Sequence, residues 1–425
     1  MKAAPPFLAP FLAPFLASLL AAGSCLAPAA ALAQRADLPP ESAVIAILDN
    51  HPAVAAAGAR VAAAKAQDGM LRRGSHEVTV SGSYVRRTVD REGSYDEFDA
   101  TIGRAFRLPG KAALDRKAGA LGIEVAENRA EDVRHQTALI LSGLWYDWLT
   151  AGALHRNDIE TVSLLETSVR AVRRRRQVRD AADLDIELAS AALAQARGQT
   201  ARSLANREQA RAMLAATFPD LPLPAEPPAL GAPESPAQSL AAMRELVIAR
   251  SHEIRAADRE AQRLDVVSQR VRADRIADPT FGVRLFRERS GMERGAGLFA
   301  SLPLGGGYRK SAAEQASAEA SAARFDLANA QRMVQATADA DLSDARTRMA
   351  VWRGMAEAAD STLAAAARTR SGHMLGAVDL SDMLYARRQA HDARRAEIEA
   401  RGEAVRAVIK LQIDSHSIWM PPGDD

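Results

Sequence analysis

The sequence predicts a mainly α-helical protein with a small β part, built from two copies of one structural unit. Two long stretches contain no proline, one between Pro109 and Pro219 and one between Pro303 and Pro421, and both are rich in helix-forming residues. A short strand pattern precedes each stretch, and the copies lie about 200 residues apart. Because a missed internal repeat misassigns every element, this duplication decides the fold class.

Composition narrows the functional classes. The chain of 425 residues carries 55 basic and 53 acidic side chains, for a formal net charge of +2. This even balance gives no electrostatic basis for binding nucleic acid. Aromatic residues make up 4% and alanine is abundant, which favours closely packed helices over bulky globular cores.

The N-terminal segment has the pattern of a secretory signal. Lys2 is followed by an apolar run through Leu20 and by small residues that end at Ala33, so we expect a signal peptide over residues 1–33. Its removal would take away Cys25, whereas a lipidated N-terminus at Cys25 is the alternative. No later stretch contains the roughly 18 consecutive apolar residues of a transmembrane helix, so any membrane-spanning segment would consist of strands.

Each copy is predicted to begin with a short helix, a break and a longer helix, and to continue with a β-hairpin. Residues 38–73, with a break at His51-Pro52, and residues 240–273 show the helical pattern. In residues 76–84 apolar side chains alternate with hydroxyl side chains, and in residues 278–286 they alternate with glycine and arginine. The charged segments 86–97 and 287–294 are predicted as loops to the partner strands, residues 98–108 and 296–304.

The hairpins leave two interpretations open. Short alternation is compatible with an antiparallel hairpin packed on a soluble helical body. Against this, four strands are too few to bury such hairpins as an independent soluble sheet. At about 10 residues, each strand has the length of a tilted membrane strand, but four strands cannot close a barrel. Spanning a bilayer would therefore require several chains to share one barrel.

A long helix, a tight turn and a returning helix follow each hairpin. Residues 111–179 and 310–375 are each predicted as one helix of roughly 100 Å, at about 1.5 Å per residue. The returning helices end near Ala216 and Ile413. Four consecutive arginines at 173–176 have two interpretations, contact with an acidic partner or lipid headgroups, and a solvated helix end.

A proline-rich segment joins the two copies. Seven prolines lie between residues 219 and 236, which predicts a stiff, extended linker. The predicted organisation is a first repeat at 38–218, a linker at 219–238, a second repeat at 239–418 and a tail at 419–425.

This plan resembles the TolC family of outer-membrane efflux proteins over nearly the whole of residues 38–418. The motifs that carry the resemblance are His51-Pro-Ala-Val54, Leu304-Gly-Gly-Gly-Tyr-Arg309, and Gly376 with Asp382-Met-Leu-Tyr-Ala-Arg387. Two further motifs resemble most the CzcC-type heavy-metal branch of the family: Leu108-Pro-Gly-Lys111 and Asp278-Pro-Thr280.

The resemblance implies a homotrimer in which three chains of four strands form a 12-stranded β-barrel in the outer membrane, continued by a helical tunnel across the periplasm. It implies a passive duct of a tripartite efflux system, working with a periplasmic adaptor, an inner-membrane RND-type pump and outer-membrane lipid. Heavy-metal cations are the first substrate it suggests, followed by small organic toxins and secreted polypeptide. The alternative function is a soluble periplasmic coiled-coil adaptor or scaffold, which would carry one long helical hairpin rather than two.

The helix turns are the candidate sites that the resemblance implies. The candidate gate carboxylates are Asp382, Asp185, Asp379 and Asp183. The candidate adaptor-docking positions are Gly376, Val378, Arg179 and Asp180, with Arg179 standing where the family has glycine. Carboxylates gathered around a narrow axis would repel one another and hold cations. An aspartate at a helix start is also an ordinary cap, and both roles stay open.

No catalytic chemistry is indicated by the sequence. Gly110-Lys111 lacks the Ser or Thr of a phosphate-binding loop. The histidines are scattered along the chain, without a His-x-x-x-His or a pair of cysteines. We therefore predict no enzyme activity, no cofactor and no metal site.

Overall fold

The computed structural model describes residues 37–236 and 238–420. The predicted signal peptide, with Cys25 and the cleavage site after Ala33, lies outside these residues, as does the predicted tail beyond Met420. Among the helices of the described ranges, none contains a stretch with the length and apolar composition of a membrane span.

Two sets of six elements follow one another in the same order. The first set is α1 (Glu41–Asn50), α2 (Pro52–Arg73), β1 (Val78–Val89), β2 (Gly93–Ala105), α3 (Lys111–Gln177) and α4 (Asp183–Thr217). The second set is α5 (Leu240–Arg250), α6 (His252–Ala273), β3 (Thr280–Glu288), β4 (Glu293–Ser301), α7 (Gly307–Met374) and α8 (Leu380–Asp414). The predicted class, mainly helical with a small antiparallel sheet, is confirmed.

The two long helices set the length of the molecule. With 67 residues in α3 and 68 in α7, each extends roughly 100 Å at about 1.5 Å per residue, as predicted. The predicted break between the first two helices is also confirmed, because Pro52 begins α2 and the His51 side chain accepts a hydrogen bond from the Ala53 amide at 3.2 Å.

The helices form a wall in which α3 and α7 run the full height. Near the sheet, α2 packs along α3, and α6 lies between α3 and α7. Farther from the sheet, α4 packs along α3, while α8 contacts both α3 and α7. Small residues allow the close approach of these helices. The buried alanines on α7 include Ala313, Ala316, Ala320 and Ala323.

The largest hydrophobic cluster lies at mid-height around α3. Trp145 and Trp148 are buried there in an edge-on pair with ring centroids 5.5 Å apart, and Trp145 Nε1 donates to the carbonyl of Asp37 at 2.7 Å. The apolar residues near the middle of α3 are thus core contacts. Trp419 and Met420, the described start of the predicted tail, are also buried in this cluster.

The proline-rich segment between the two sets packs against the helical wall. Phe218, Leu221 and Leu230 are buried in the same central cluster. Arg156 Nη1 donates to the carbonyl of Pro227 at 3.1 Å, and the Pro227 ring fills the space beside Gly152, where a Cβ would otherwise stand. The segment is extended, but it lies against α3 instead of acting as a free spacer.

The sheet joins the two sets of elements in the order β1-β2-β3-β4, with every neighbour antiparallel. The prediction that residues 86–97 and 287–294 are loops is wrong, since the strands continue into both segments and leave only short turns. Opposite charges in these segments pair across the strands, as in Arg87 with Glu97 at 2.6 Å, so charged side chains are accommodated within the ladder.

Candidate functional site

The four-stranded sheet has one apolar face and one polar face. Its register aligns a row of apolar side chains across all four strands: Val80, Ile102, Val283 and Leu298. The next row lies on the opposite face and consists of Ser81, Thr101, Arg284 and Gly297. The predicted alternation of β1 and β3 is therefore confirmed, and it extends to their partner strands.

The apolar face is exposed and is bounded by aromatic residues at both ends. Val80 is 71% exposed and Leu298 is 89% exposed. The rings of Tyr84 and Phe98 lie 5.0 Å apart at the end near the hairpin turns, and those of Phe106 and Phe281 lie 5.8 Å apart at the end near the helices. Further large hydrophobic side chains exposed on this face are Val78, Ile102, Val283 and Leu285. An apolar band between aromatic girdles is typical of a barrel surface that contacts lipid.

The edges of the sheet are unpaired. Within the described residues, β1 and β4 each hydrogen-bond to one neighbouring strand only. Each edge strand therefore presents free backbone N–H and C=O groups, which is costly if the sheet lies in an apolar environment.

A buried polar junction connects the sheet to the helices. The side chain of Lys111, at the start of α3, is 2% exposed. Its Nζ lies 2.8 Å from Asp278 Oδ1 and 2.8 Å from Asp274 Oδ1, and it donates to the carbonyl of Ile276 at 2.8 Å. Lys111 belongs to the first set of elements and its three partners to the second, so this cation ties the two sets together.

Asp278 is the anionic centre of the junction. It accepts hydrogen bonds from Lys111 and from the Leu108 amide at 3.0 Å, and it lies 2.9 Å from His76 Nε2. Burial tends to raise the pKa of this carboxyl, but the bonds from Lys111, Leu108 and His76 outweigh burial and lower the pKa to about 2. Beside Asp278, a second carboxylate, Asp115, is paired with two arginines. Arg107 Nη1 lies 2.9 Å from Asp115 Oδ2, and Arg270 Nε lies 2.7 Å from Asp115 Oδ1.

The junction explains the two motifs that resemble the heavy-metal branch. Sequence reasoning singled out Leu108-Pro-Gly-Lys111 and Asp278-Pro-Thr280 but did not predict that they meet. The available signal was a lysine directly after a Pro-Gly strand exit and an aspartate directly before a strand that begins at Pro-Thr. In the structure the two motifs are opposite sides of one ion-paired contact.

The two helix turns have the same backbone geometry. At the end of α3, Arg179 has φ 63°, and the Asp180 amide donates to the carbonyl of Arg175 at 2.8 Å. At the end of α7, Gly376 has φ 77°, and the Ala377 amide donates to the carbonyl of Gly372 at 2.9 Å. Both are Schellman endings, in which a left-handed residue closes the helix. Arg179 thus occupies the position that glycine holds in the second turn.

The candidate gate carboxylates lie at the starts of α4 and α8. Asp185 and Asp382 are each the third residue after the helix N-cap, so the structure makes them equivalent positions. The Asp185 carboxylate caps its own helix by accepting from the Ala182 amide at 3.0 Å. Asp183 is paired with Arg176 at 2.5 Å, and this hydrogen bond lowers its pKa. No two of the four candidate carboxylates are hydrogen-bonded to each other in the described parts of the chain.

A histidine connects the two turns. Arg175 Nη1 lies 3.4 Å from His373 Nε2, and His373 Nδ1 lies 2.8 Å from the carbonyl of Val378. In this arrangement Nδ1 can donate to the carbonyl while Nε2 accepts from the guanidinium. Beneath the turns, an apolar cluster packs the two returning helices against α3: Leu165, Val169, Val172, Ala189, Leu193, Leu380 and Met383.

Three histidines that are distant in sequence meet near the C-terminal end of α8. The rings of His252 and His416 stack at 5.0 Å, and the ring of His135 lies 5.9 Å from that of His416. Burial, followed by neighbouring positive charge, lowers the pKa of both His252 and His416 to about 4, so both are neutral near pH 7. The histidines are scattered along the sequence, and only the fold brings these three together. In residues 37–236 and 238–420, no group of three His, Cys, Asp or Glu is arranged to hold a metal ion.

The backbone is similar to those of solved outer-membrane proteins. The outer membrane protein VceC from Vibrio cholerae matches with a TM-score of 0.73 at 15% identity, over 88% of this chain and 95% of VceC. The outer-membrane channel OprN matches with a TM-score of 0.72 at 18% identity, over 91% of this chain and 92% of OprN. A membrane protein from Pseudomonas aeruginosa matches with a TM-score of 0.72 at 18% identity, over 88% of this chain and 90% of that protein. No family model and no curated protein matches the chain. The likeness establishes the TolC-like fold and does not distinguish a heavy-metal branch.

Substitution of the junction lysine should weaken the fold strongly. In Lys111→Met, two carboxylates lose the cation that they face, and we expect the free energy of unfolding to fall by about 3–5 kcal/mol. Thermal unfolding followed by circular dichroism in detergent measures this change. Lys117→Met, at an exposed position of the same helix, is the matched control and should change little. Equal effects of the two substitutions would contradict the assigned role of Lys111.

The junction should also give the protein a defined acid sensitivity. The pKa of Asp278 in the folded protein lies below its ordinary value of 3.8, so its stabilising contribution is present above pH 3.8 and is lost as the pH falls toward about 2. The difference in unfolding free energy between the wild type and Asp278→Asn should therefore shrink from pH 4 to pH 2. A difference that stays constant over this range would refute the assignment.

The first turn should be stabilised by glycine. Arg179→Gly removes a left-handed non-glycine residue, and we expect a gain of about 1 kcal/mol in local stability. Amide hydrogen exchange at the last turn of α3 measures this gain as slower exchange. Gly376→Arg is the mirror control and should speed exchange at the end of α7. Faster exchange in Arg179→Gly would show that the arginine side chain itself stabilises the turn.

Proposed function

We propose that the chain is the outer-membrane channel of a tripartite efflux system, in which three copies share one barrel and one helical tunnel. The observation that carries this proposal is the exposed apolar face of a four-stranded sheet that has aromatic residues at both ends and open edges. Lipid contacts the apolar face, and strands of neighbouring copies form hydrogen bonds with the backbone of the edge strands. Three copies give 12 strands, four from each chain.

The helical wall supports the same assignment. The long helices start at the sheet and extend roughly 100 Å from it. They are long enough to form a tunnel that extends from the barrel far into the periplasm. Such a duct has no energy source of its own. We propose that a periplasmic adaptor binds the turns around Gly376, Val378, Arg179 and Asp180, and that an inner-membrane RND-type pump supplies the substrate.

The starts of α4 and α8 are proposed as the gate of the tunnel. Asp382 and Asp185 occupy equivalent positions in the two turns, and three copies would bring six such carboxylates to one end of the tunnel. Asp183 is paired with Arg176, and Asp379 is the N-cap of α8, so we assign these two aspartates to stabilising the turns.

Lys111 and Asp278 belong to the motifs that suggested heavy-metal cations. They form a structural junction and give no support to a metal substrate.

A charge on the apolar face should prevent membrane assembly. Leu298→Arg places a cation on the face proposed to contact lipid, at a cost of about 2–4 kcal/mol per chain near the bilayer midplane. We expect loss of the trimer from the outer-membrane fraction, measured on an unheated gel after expression of the precursor in a bacterium with two membranes.

Gly297→Arg is the matched control for this experiment. Gly297 is the preceding residue on the polar face, with open space around it. The Gly297→Arg variant should still assemble, because the arginine side chain would point away from lipid. Equal assembly of both variants, or a wild-type protein found as a periplasmic monomer, would contradict the channel and favour the soluble adaptor or scaffold.

The gate assignment predicts a change in ion selectivity. In planar bilayers with a KCl gradient, the wild-type channel should prefer cations, because carboxylates at the tunnel end attract them. The double variant Asp185→Asn with Asp382→Asn should shift the reversal potential toward zero. Asp326→Asn, at an exposed position of α7 far from the turns, is the control. An unchanged reversal potential in the double variant would remove these residues from the gate.

A further inference from the structure

Two phenylalanines lie on the polar face of the sheet, where alternation alone predicts small or polar side chains. Phe286 on β3 pairs with Asp99 and Gly295, and Phe299 on β4 pairs with Gly282. Both phenylalanines are half-buried, whereas those of the apolar face, Phe98 and Phe281, are exposed. In the channel proposed above, on which this inference rests, the polar face lines the lumen.

Glycines on neighbouring strands provide the space for these rings. Phe299 extends across Gly282 and reaches Gly103, where a Cβ would lie 2.9 Å from its Cζ. The ring of Phe286 likewise occupies the place that a Cβ on Gly295 would take. The rings therefore lie along the wall, filling the gaps above glycine, as in other sheets where an aromatic side chain covers a cross-strand glycine.

The carboxylates near these rings are already paired with arginine. Asp99, in the same row as Phe286, forms an ion pair with Arg284. The guanidinium of Arg284 also lies over the ring of Phe286, 5.5 Å from its centroid. Glu97, the next carboxylate on this face, is 2.6 Å from Arg87. These two carboxylates are committed to arginine, so they are not available as ligands for a metal cation.

The other side chains of the wall are compatible with organic solutes. One row of this face lies between the two phenylalanines. It carries the hydroxyl groups of Ser81 and Thr101, whose Oγ and Oγ1 atoms are 2.6 Å apart, together with Arg284 and Gly297. Phenyl surface beside hydroxyl groups and neutralised ion pairs suits molecules with an apolar ring. Three chains would contribute six phenyl rings to the lumen.

We propose that Phe286 and Phe299 form a phenyl-lined section of the barrel lumen that contacts aromatic organic solutes during passage. The substrate class that this section would accept is accordingly small organic compounds that carry an apolar ring. The glycines at 103, 282 and 295 hold these rings against the wall and so keep the section open.

Block of ion current through the reconstituted channel tests this proposal. The probes are benzyltriethylammonium, which carries a ring, and tetraethylammonium, which has the same charge without a ring. We expect benzyltriethylammonium to block at lower concentration in the wild type. The double variant Phe286→Ala with Phe299→Ala should bind it roughly tenfold more weakly, with little change for tetraethylammonium.

Two further variants test whether the effect comes from the lumen-facing rings and not from a disturbed sheet. Phe286→Leu with Phe299→Leu keeps apolar volume and should also lose the preference for the ringed probe. Phe281→Ala removes a phenyl from the same strand but from the opposite face, and should leave block unchanged. Equal block by both probes, or a preference retained in the Leu variant, overturns the proposal. A wild-type chain that gives no ion conductance overturns the channel function itself, so the two failures are distinguishable.

Discussion

The structure depends on one constraint, that backbone N–H and C=O groups in an apolar environment must be paired. The four strands satisfy this requirement internally but leave the outer edges of β1 and β4 open. The same sheet exposes an apolar face. In the proposed channel, strands of further copies complete the sheet at both edges. The long helices join the same assembly because they begin where the strands end.

The polar junction lies where the chain changes from strand to helix. Chain reversals there leave carbonyl and amide groups without helical or sheet partners. Lys111 and Asp278 satisfy several of these groups at once, since Lys111 donates to the Ile276 carbonyl and Asp278 accepts from the Leu108 amide. A buried pair of this kind is a specific connector, because neither charge is stable there without the other. The junction thus fixes the register of the first long helix against the second hairpin.

Local patterns predicted the elements well, and non-local partners account for what they missed. Proline-free runs gave both long helices, and period-two alternation gave the correct faces of β1 and β3. The charged strand ends were predicted as loops because the cross-strand partner that neutralises Arg87 is Glu97, which local composition cannot assign. The packed linker and the histidine cluster were missed for the same reason, since their contacts join segments far apart in sequence. At the turns, sequence identified the position of Arg179, while only the backbone revealed that it takes the left-handed conformation of glycine.

The pairing of β2 with β3 has a consequence for the order in which the protein folds. The residues of this ladder come from the two halves of the chain, and the bonds from Lys111 to Ile276 and Asp278 span 165 and 167 residues. The first hairpin therefore cannot acquire its inner neighbour until the second half has been synthesised. High contact order of this kind slows folding and leaves a β-edge exposed in the meantime. A chain with this topology is expected to need protection of its first hairpin until the sheet closes.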